Sequence, residues 1–269
     1  MKIMKHFFLL LFLILPASAF AQRTIVDTTN YVFNYAVKYT TDEEFKPFDD
    51  EVVVEIGSHR TLCYGYWDEA NTLAIDSIRS HGGSIADYLA LGNPIGSFTY
   101  HILKNYPKNG FLTVTKYEGK NYLYTEPMIE KKWNLEEGDT TILGYDCKKA
   151  SCSFRNRTWT VWYTLDIPIS EGPWKLDGLP GMILSAIDKK RQYSFECIGI
   201  KKNVNRPMTM LMNKFVKTTG TYLERIYKLK EKNYEAYRKA TGADRNVLSY
   251  PEYTPRTACF LEYYEPNKK

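Results

Sequence analysis

The stretch "YVFNYAVKYT", residues 31–40, places Tyr31, Phe33, Tyr35, Val37 and Tyr39 at every second position. A side-chain period of two is the pleat of a β-strand, with one apolar, aromatic face and one polar face. Reading outward, the alternation returns in "DEVVVEIG" (50–57), with Val52, Val54 and Ile56 on one side, and in "HRTLCYGYW" (59–67), with Leu62, Tyr64 and Tyr66. Strand signals continue at about 98–106, 111–118 and 121–127, and "EGKN" (118–121) supplies a turn. Residues 131–166 read as further strands, with turns expected at Glu137-Gly138-Asp139 and Arg155-Asn156-Arg157. "MILSAID" and "YSFECIGIKK" follow a proline-glycine loop and are joined by Lys189-Lys190-Arg191.

Two regions change period. Leu73, Ile75 and Ile78 are spaced in a looser, helical way, and "SIADYLALG" begins with Ser84, a good N-cap, and ends at Gly92. Short helices are therefore expected around 69–91. Tyr222, Ile226, Leu229, Asn233, Tyr237 and Ala240 lie three or four apart among charges, which predicts one long amphipathic helix over about 214–240. The tail, with Pro251, Pro255 and Pro266, reads as irregular. The expectation is a mainly β (α+β) chain with a single domain over 22–269.

The first residues carry an address. Lys2 and Lys5 precede an unbroken apolar run from Phe7 to Leu15, Pro16 ends it, and Ala19-Phe20-Ala21 offers small residues at a cleavage site. This is the pattern of a secretory signal peptide, residues 1–21, cut near Ala21-Gln22. The run is too short to span a bilayer core, which takes about 20 helical residues. The expectation is an exported chain, periplasmic or secreted, with no membrane span after cleavage. The formal charge of +5, from which Lys2 and Lys5 are lost with the signal, is too mild for a nucleic-acid partner. The 22 tyrosines suit strands whose two faces differ in wetness. Cys63, Cys147, Cys152, Cys197 and Cys259 are odd in number, so a complete set of internal disulfides is excluded. Cys147 and Cys152 face opposite ways in a regular strand and should not bond to each other.

Catalytic patterns are scarce. His81-Gly82-Gly83-Ser84 would need a Gly-x-Ser-x-Gly elbow to read as an esterase, and the chain has none. No zinc, phosphate-loop or dinucleotide motif occurs, and no cofactor is expected. A hidden hydrolytic site would require His59, His81 or His101 to meet a cysteine, serine or carboxylate in the fold. Paired acids at 42–44, 49–51 and 136–137 read as solvated turn charges. Met208, Met210 and Met212 alternate in "RPMTMLMNK" and would share a strand face. That arrangement suits either a packing seam or copper(I).

The remaining feature is "KLDGLPGMILSA", residues 175–186. Pro180 fixes its φ, and Gly178 and Gly181 allow φ values or close approaches that other residues resist. A stiff loop beside Trp162, Trp174 and Leu179 is expected to fold back over the sheet. The run Gly178-Leu179-Pro180-Gly181-Met182-Ile183 resembles the GLPGLI motif, and "RTWTVWYTLDIPISEGPWKLD", Trp133 and "ILGYDCKKA" are similar to the rest of that family's pattern over about 128–200. The resemblance implies an exported, Bacteroidetes-type protein of unknown molecular function. It also implies a curved antiparallel sheet or half-open barrel of lipoprotein-carrier-like shape. A non-catalytic envelope protein follows, binding an apolar small molecule or lipid, or an outer-envelope protein partner. Trp162, Tyr163, Trp174, Leu179 and Pro180 are then the expected ligand contacts. A hydrolase, or copper(I) handling through the methionines, is the alternative.

Overall fold

The computed structural model describes residues 23–40, 48–96, 98–118, 120–212, 215–242 and 261. The signal segment, Asp42-Glu43-Glu44, Cys259 and the tail prolines lie outside the described residues. Among the described residues twelve strands form one sheet: β1 (Arg23–Tyr39), β2 (Phe48–Gly57), β3 (Thr61–Gly65), β4 (Tyr100–Lys104), β5 (Phe111–Tyr117), β6 (Asn121–Pro127), β7 (Asn134–Ile142), β8 (Tyr145–Phe154), β9 (Arg157–Thr164), β10 (Met182–Asp188), β11 (Tyr193–Leu211) and β12 (Val216–Lys217). Helices α1 (Tyr66–Ser80) and α2 (Ile85–Leu89) sit between β3 and β4, and α3 (Gly220–Lys232) and α4 (Tyr234–Thr241) follow β12.

The strand order is β12-β6-β5-β4-β3-β2-β1-β11-β10-β9-β8-β7. Two antiparallel meanders meet where β1 pairs β11, and only the short β12 runs parallel to its neighbour. This order carries a strong geometric constraint. β6 and β7 stand ten spacings apart, about 48 Å in a flat sheet, yet only residues 128–133 join them. That connection reaches roughly 25 Å at most. The sheet must therefore curl, and the contacts show that it does: Glu126 on β6 meets Arg155, in the turn between β8 and β9, at 2.9 Å. The expected mainly β, curved antiparallel sheet is what the chain forms.

The inner face is filled. Phe33, Tyr35, Val52, Val54, Ile102, Val114, Trp159 and Phe195 come from the strands, and Trp174, Leu176 and Leu179 come from the segment between β9 and β10. That segment folds inward, as its sequence suggested. Trp174 holds a left-handed φ of 54°, unfavourable for a bulky residue. Its ring is wedged between Phe154 at 5.4 Å and Trp159 at 5.5 Å. Gly181 has no room for a side chain, since a Cβ there would lie 1.9 Å from the Thr164 carbonyl oxygen. Gly178 adopts φ +95°, a conformation that only glycine takes readily.

Several local expectations shift. Glu137-Gly138-Asp139 is a bulge within β7 rather than a turn, since its pairing with β8 slips between Glu136 and Asp139. The long helix is two helices, because Asn233 leaves helical geometry and its side chain caps Ala236 N–H at 2.9 Å to start α4. Tyr66 opens α1 rather than extending β3. Ser84 does begin α2, with its N–H and hydroxyl both donating to Asp87. Gly181→Ala should destabilise the fold by about 2–4 kcal/mol in urea unfolding. Gly199→Ala, whose Cβ would come no closer than 3.9 Å to Asn34, should change it by less than about 0.5 kcal/mol.

Candidate functional site

Polar side chains gather at two places. The first is inside the curl. Lys104 is fully buried because it follows Ile102 on the inner face of β4. Its ammonium donates to Glu171 at 2.6 Å and to the Leu176 carbonyl at 3.2 Å, and pairs with Asp177 at 3.3 Å. Lys131, from the connection joining β6 to β7, also pairs with Asp177, and Trp133 Nε1 donates to the Asp177 carbonyl at 3.0 Å. Beside them, Lys175 donates to Glu126 at 2.8 Å and to Tyr124 Oη at 3.2 Å. Residues 165–181 thus tie β4, β6 and the 128–133 connection together from within.

Burial works against every charge in this network. It would pull the Lys104 ammonium down, but Glu171 and Asp177 outweigh it and hold that group above the usual lysine range. Burial pushes the Glu171 carboxyl up despite Lys104. For Asp177, burial is overcome by Lys104 and Lys131, and the carboxyl is held below its usual range. Burial pulls Lys131 down, and Asp177 only partly restores it. Each lysine of the network is buried and paired with at least one carboxylate.

The second gathering is on the outer face. Alternation turns Tyr64 and His101 outward, since their neighbours Cys63 and Ile102 point into the core. The His101 ring stacks on Tyr64, centroids 5.8 Å apart and 10° from parallel. Its Nε2 lies 3.3 Å from Glu69 and its Nδ1 3.8 Å from Asp68, both in the first turn of α1. Arg23, at the start of β1, pairs with Glu69 and donates to Thr209 Oγ1 at 3.2 Å. Tyr64 Oη donates to Glu55 at 2.8 Å, and Glu55 also pairs with Arg206. The result is a belt, Arg206–Glu55–Tyr64–His101–Glu69–Arg23, with Asp68 branching from His101. It overlies a second apolar cluster of Val26, Leu62, Leu103, Met208 and Met210, formed where the far ends of β1 and β11 fold over β3 and β4.

This placement sorts the residues marked by the sequence. Tyr163, Trp174 and Leu179 are in the core, Trp162 is half-buried, and Pro180 is exposed. Gly178 is exposed, and Gly181, Met182 and Ile183 are buried. Met208 and Met210 are packed within the second apolar cluster, with Met212 partly buried against it. The stripe is therefore a packing seam against β3 and β4. Cys63, Cys147, Cys152 and Cys197 are buried free thiols, and burial pushes Cys63 up to about 12. Such thiols are poor nucleophiles at neutral pH. His81 stays in local contact with Ser77 and Ser80 at the end of α1. His101 does meet a carboxylate. Asp68, Glu69, Arg23 and Lys104 were not singled out. The first two lie inside a helical pattern, and the others acquire partners only through long-range pairing. Among the described residues no group of His, Cys, Asp or Glu is arranged to hold a metal ion, and no helix is long and apolar enough to cross a membrane.

Compared with known proteins, residues 99–228 match the family described as "N-glycanase peptide, N-terminal domain", that of PNGase F-II. No curated protein matches. Among solved structures, two crystal forms of PNGF-II align with TM-scores of 0.49 and 0.47, at 19% and 17% identity, each over 74% of this chain. In both cases 33% of the solved chain is covered, so this chain spans about a third of its length. The family match overturns the GLPGLI assignment, because it contains the whole of 128–200 on which that resemblance rested. The Gly-Leu-Pro-Gly turn has backbone reasons to exist, a left-handed φ at 178 and a tight contact at 181, and these do not mark a family. The non-catalytic apolar-carrier reading falls with it, and so does its copper(I) alternative. The matched family is one of glycan chemistry, the inner face is packed with core side chains, and the methionine sulfurs lie in an apolar seam.

Asp177→Asn tests the inner network. Because the folded Asp177 carboxyl is held below its ordinary 3.8, its contribution is present above that pH and is lost as the pH falls through the folded value. The variant should cost about 3–5 kcal/mol near pH 7. Urea unfolding across pH should show the gap to wild type narrowing below about pH 4.

Proposed function

We propose that this chain is a glycoprotein-directed module of the N-glycanase type, which engages polypeptide bearing N-linked glycans in support of glycan release. The observation that carries this reading is the match of residues 99–228 to the N-terminal domain of a peptide N-glycanase. The matched stretch runs from β4 to α3 and includes His101, Lys104 and the inward segment 165–181. The geometry supports recognition on the outside. The inner face is occupied by the protein's own side chains, while the outer belt presents carboxylate, imidazole, guanidinium and phenol groups of the kind that hydrogen-bond sugar hydroxyls. The module acts outside the cytoplasm once residues 1–21 are removed, where glycoproteins of other cells are met.

Calorimetric titration tests the proposal with an N-glycosylated peptide, the same peptide without its glycan, and the free oligosaccharide. The glycosylated peptide should bind at least about tenfold more tightly than its bare counterpart, a difference of about 1.4 kcal/mol. Equal affinity for the two peptides, or no binding of either, overturns it. Mass spectrometry of the same mixtures reports whether the chain also releases the glycan.

A further inference from the structure

The excursion between β3 and β4 carries apolar side chains that the rest of the fold leaves in water. After α1 the chain turns at Gly82 and Gly83 and runs back along one stripe of that helix, marked by Ile78, Asn71 and Trp67. Gly83 lies against Ile78, where a Cβ would come within 2.6 Å of Cγ2. Asn71 donates to the Pro94 carbonyl at 2.9 Å and accepts from Asn93 at 3.2 Å. Gly96 lies against Trp67 and Asp68, and a Cβ there would be 2.5 Å from the Asp68 nitrogen. From Ile78 to Asp68 this path follows about 15 Å of helix. The returning segment covers α1, and its own outer side forms a ridge.

That ridge is apolar. Ile85 and Leu89, four apart on α2 and so on one face, are 64% and 69% exposed, and Leu91 and Ile95 are 52% and 89% exposed. Single exposed apolar residues are ordinary, but four within one short segment make a patch. Burying a leucine or isoleucine side chain removes about 120 Å² from water. On that scale the four leave about 330 Å² exposed, as much as the largest patch on many monomers.

We propose that the ridge is the two-fold contact between two copies of this chain. Two ridges laid together bury about 660 Å² of apolar side chain. Homodimer interfaces are about 65% apolar, so the whole contact reaches about 1,000 Å², the size that separates specific interfaces from chance contacts. In a two-fold contact the same patch serves on both sides, so an apolar ridge needs no second surface to complement it. The charge pattern suits this. Residues 82–96 hold no lysine or arginine and one acid, Asp87, whose carboxylate already accepts from the Ser84 N–H and hydroxyl. Two copies therefore meet without a cluster of like charges between them. A lipid surface is the weaker fit, because segments that lie on anionic membranes carry a cluster of basic residues, and only Arg79 and His81 precede the ridge closely.

Sedimentation equilibrium on the purified chain, over about 1–100 µM, tests this beside Leu89→Asp and Ile95→Asp on the ridge and Leu135→Asp, an exposed position on β7, as a control. Wild type should sediment at twice the mass of one chain, with a dissociation constant of about 10 µM or tighter. Each ridge variant should weaken the dimer at least about a hundredfold, because the contact would bury an unpaired carboxylate, and Leu135→Asp should pair as wild type. Urea unfolding, measured where every variant is monomeric, should give the two ridge variants the wild-type midpoint. A wild type that stays monomeric at about 100 µM overturns the proposal, and so does a dimer that neither ridge charge weakens. A lowered midpoint in both ridge variants shows that these side chains pack within the single chain and overturns it equally. A monomer that cosediments with vesicles of phosphatidylcholine and phosphatidylglycerol gives the ridge to a lipid surface instead.

Discussion

One carboxylate stands where the two ends of the sheet are brought together. Asp177 pairs with Lys104 of β4 and with Lys131 of the 128–133 connection. Because that connection must join strands on opposite sides of a twelve-stranded sheet, curvature is imposed by chain length, and Asp177 and its neighbours fill the space that the curvature creates. The apolar part of the same segment, Trp174, Leu176 and Leu179, seals the interior. A network of this kind is poor evidence of added stability compared with an apolar core, but it tolerates the removal of no single member. Its value here is positional: charges at fixed points on β4, β6 and the connection accept the inward segment in one register.

The division of polar groups follows from that closure. Inside the curl, Lys104, Lys131 and Lys175 are paired with Glu171, Asp177 and Glu126. On the outer face, a belt of unlike groups remains partly open to water, seated on the seam where β1 and β11 fold over β3 and β4. Met208 and Met210 are part of this support. Their flexible side chains pack with Leu62 and Leu103.

Much of the fold was legible because strand alternation is a local signal. Tyr31 to Tyr39, Val52 to Ile56 and the Gly178–Gly181 loop declare themselves within a few residues. Other features were silent for physical reasons. The Gly138 bulge looks like a turn until a partner strand shows the slip. Asn233 stops a helix by capping the next one, and nothing in the spacing of Tyr222 to Ala240 reveals it. Lys104 follows Ile102 on the apolar face, and a lysine there is burdensome until Glu171 and Asp177, far along the chain, arrive. The candidate site was less readable still. His101 could be marked as conditional on a carboxylate, but Asp68 and Glu69 gain their roles only when the fold brings the first turn of α1 to the His101 side chain. The Gly-Leu-Pro-Gly run misled the family assignment because a turn that the backbone demands was read as a signature of kinship.

The curl itself is the claim on which the rest depends, and a single distance tests it. Spin labels at Thr125 on β6 and Ser153 on β8, both exposed, stand nine strand spacings apart in the sheet order. Pulsed electron-electron resonance on the doubly labelled chain should give one distribution centred below about 30 Å. A flat or open sheet would place the pair about 43 Å apart, and a distribution centred there would contradict the account.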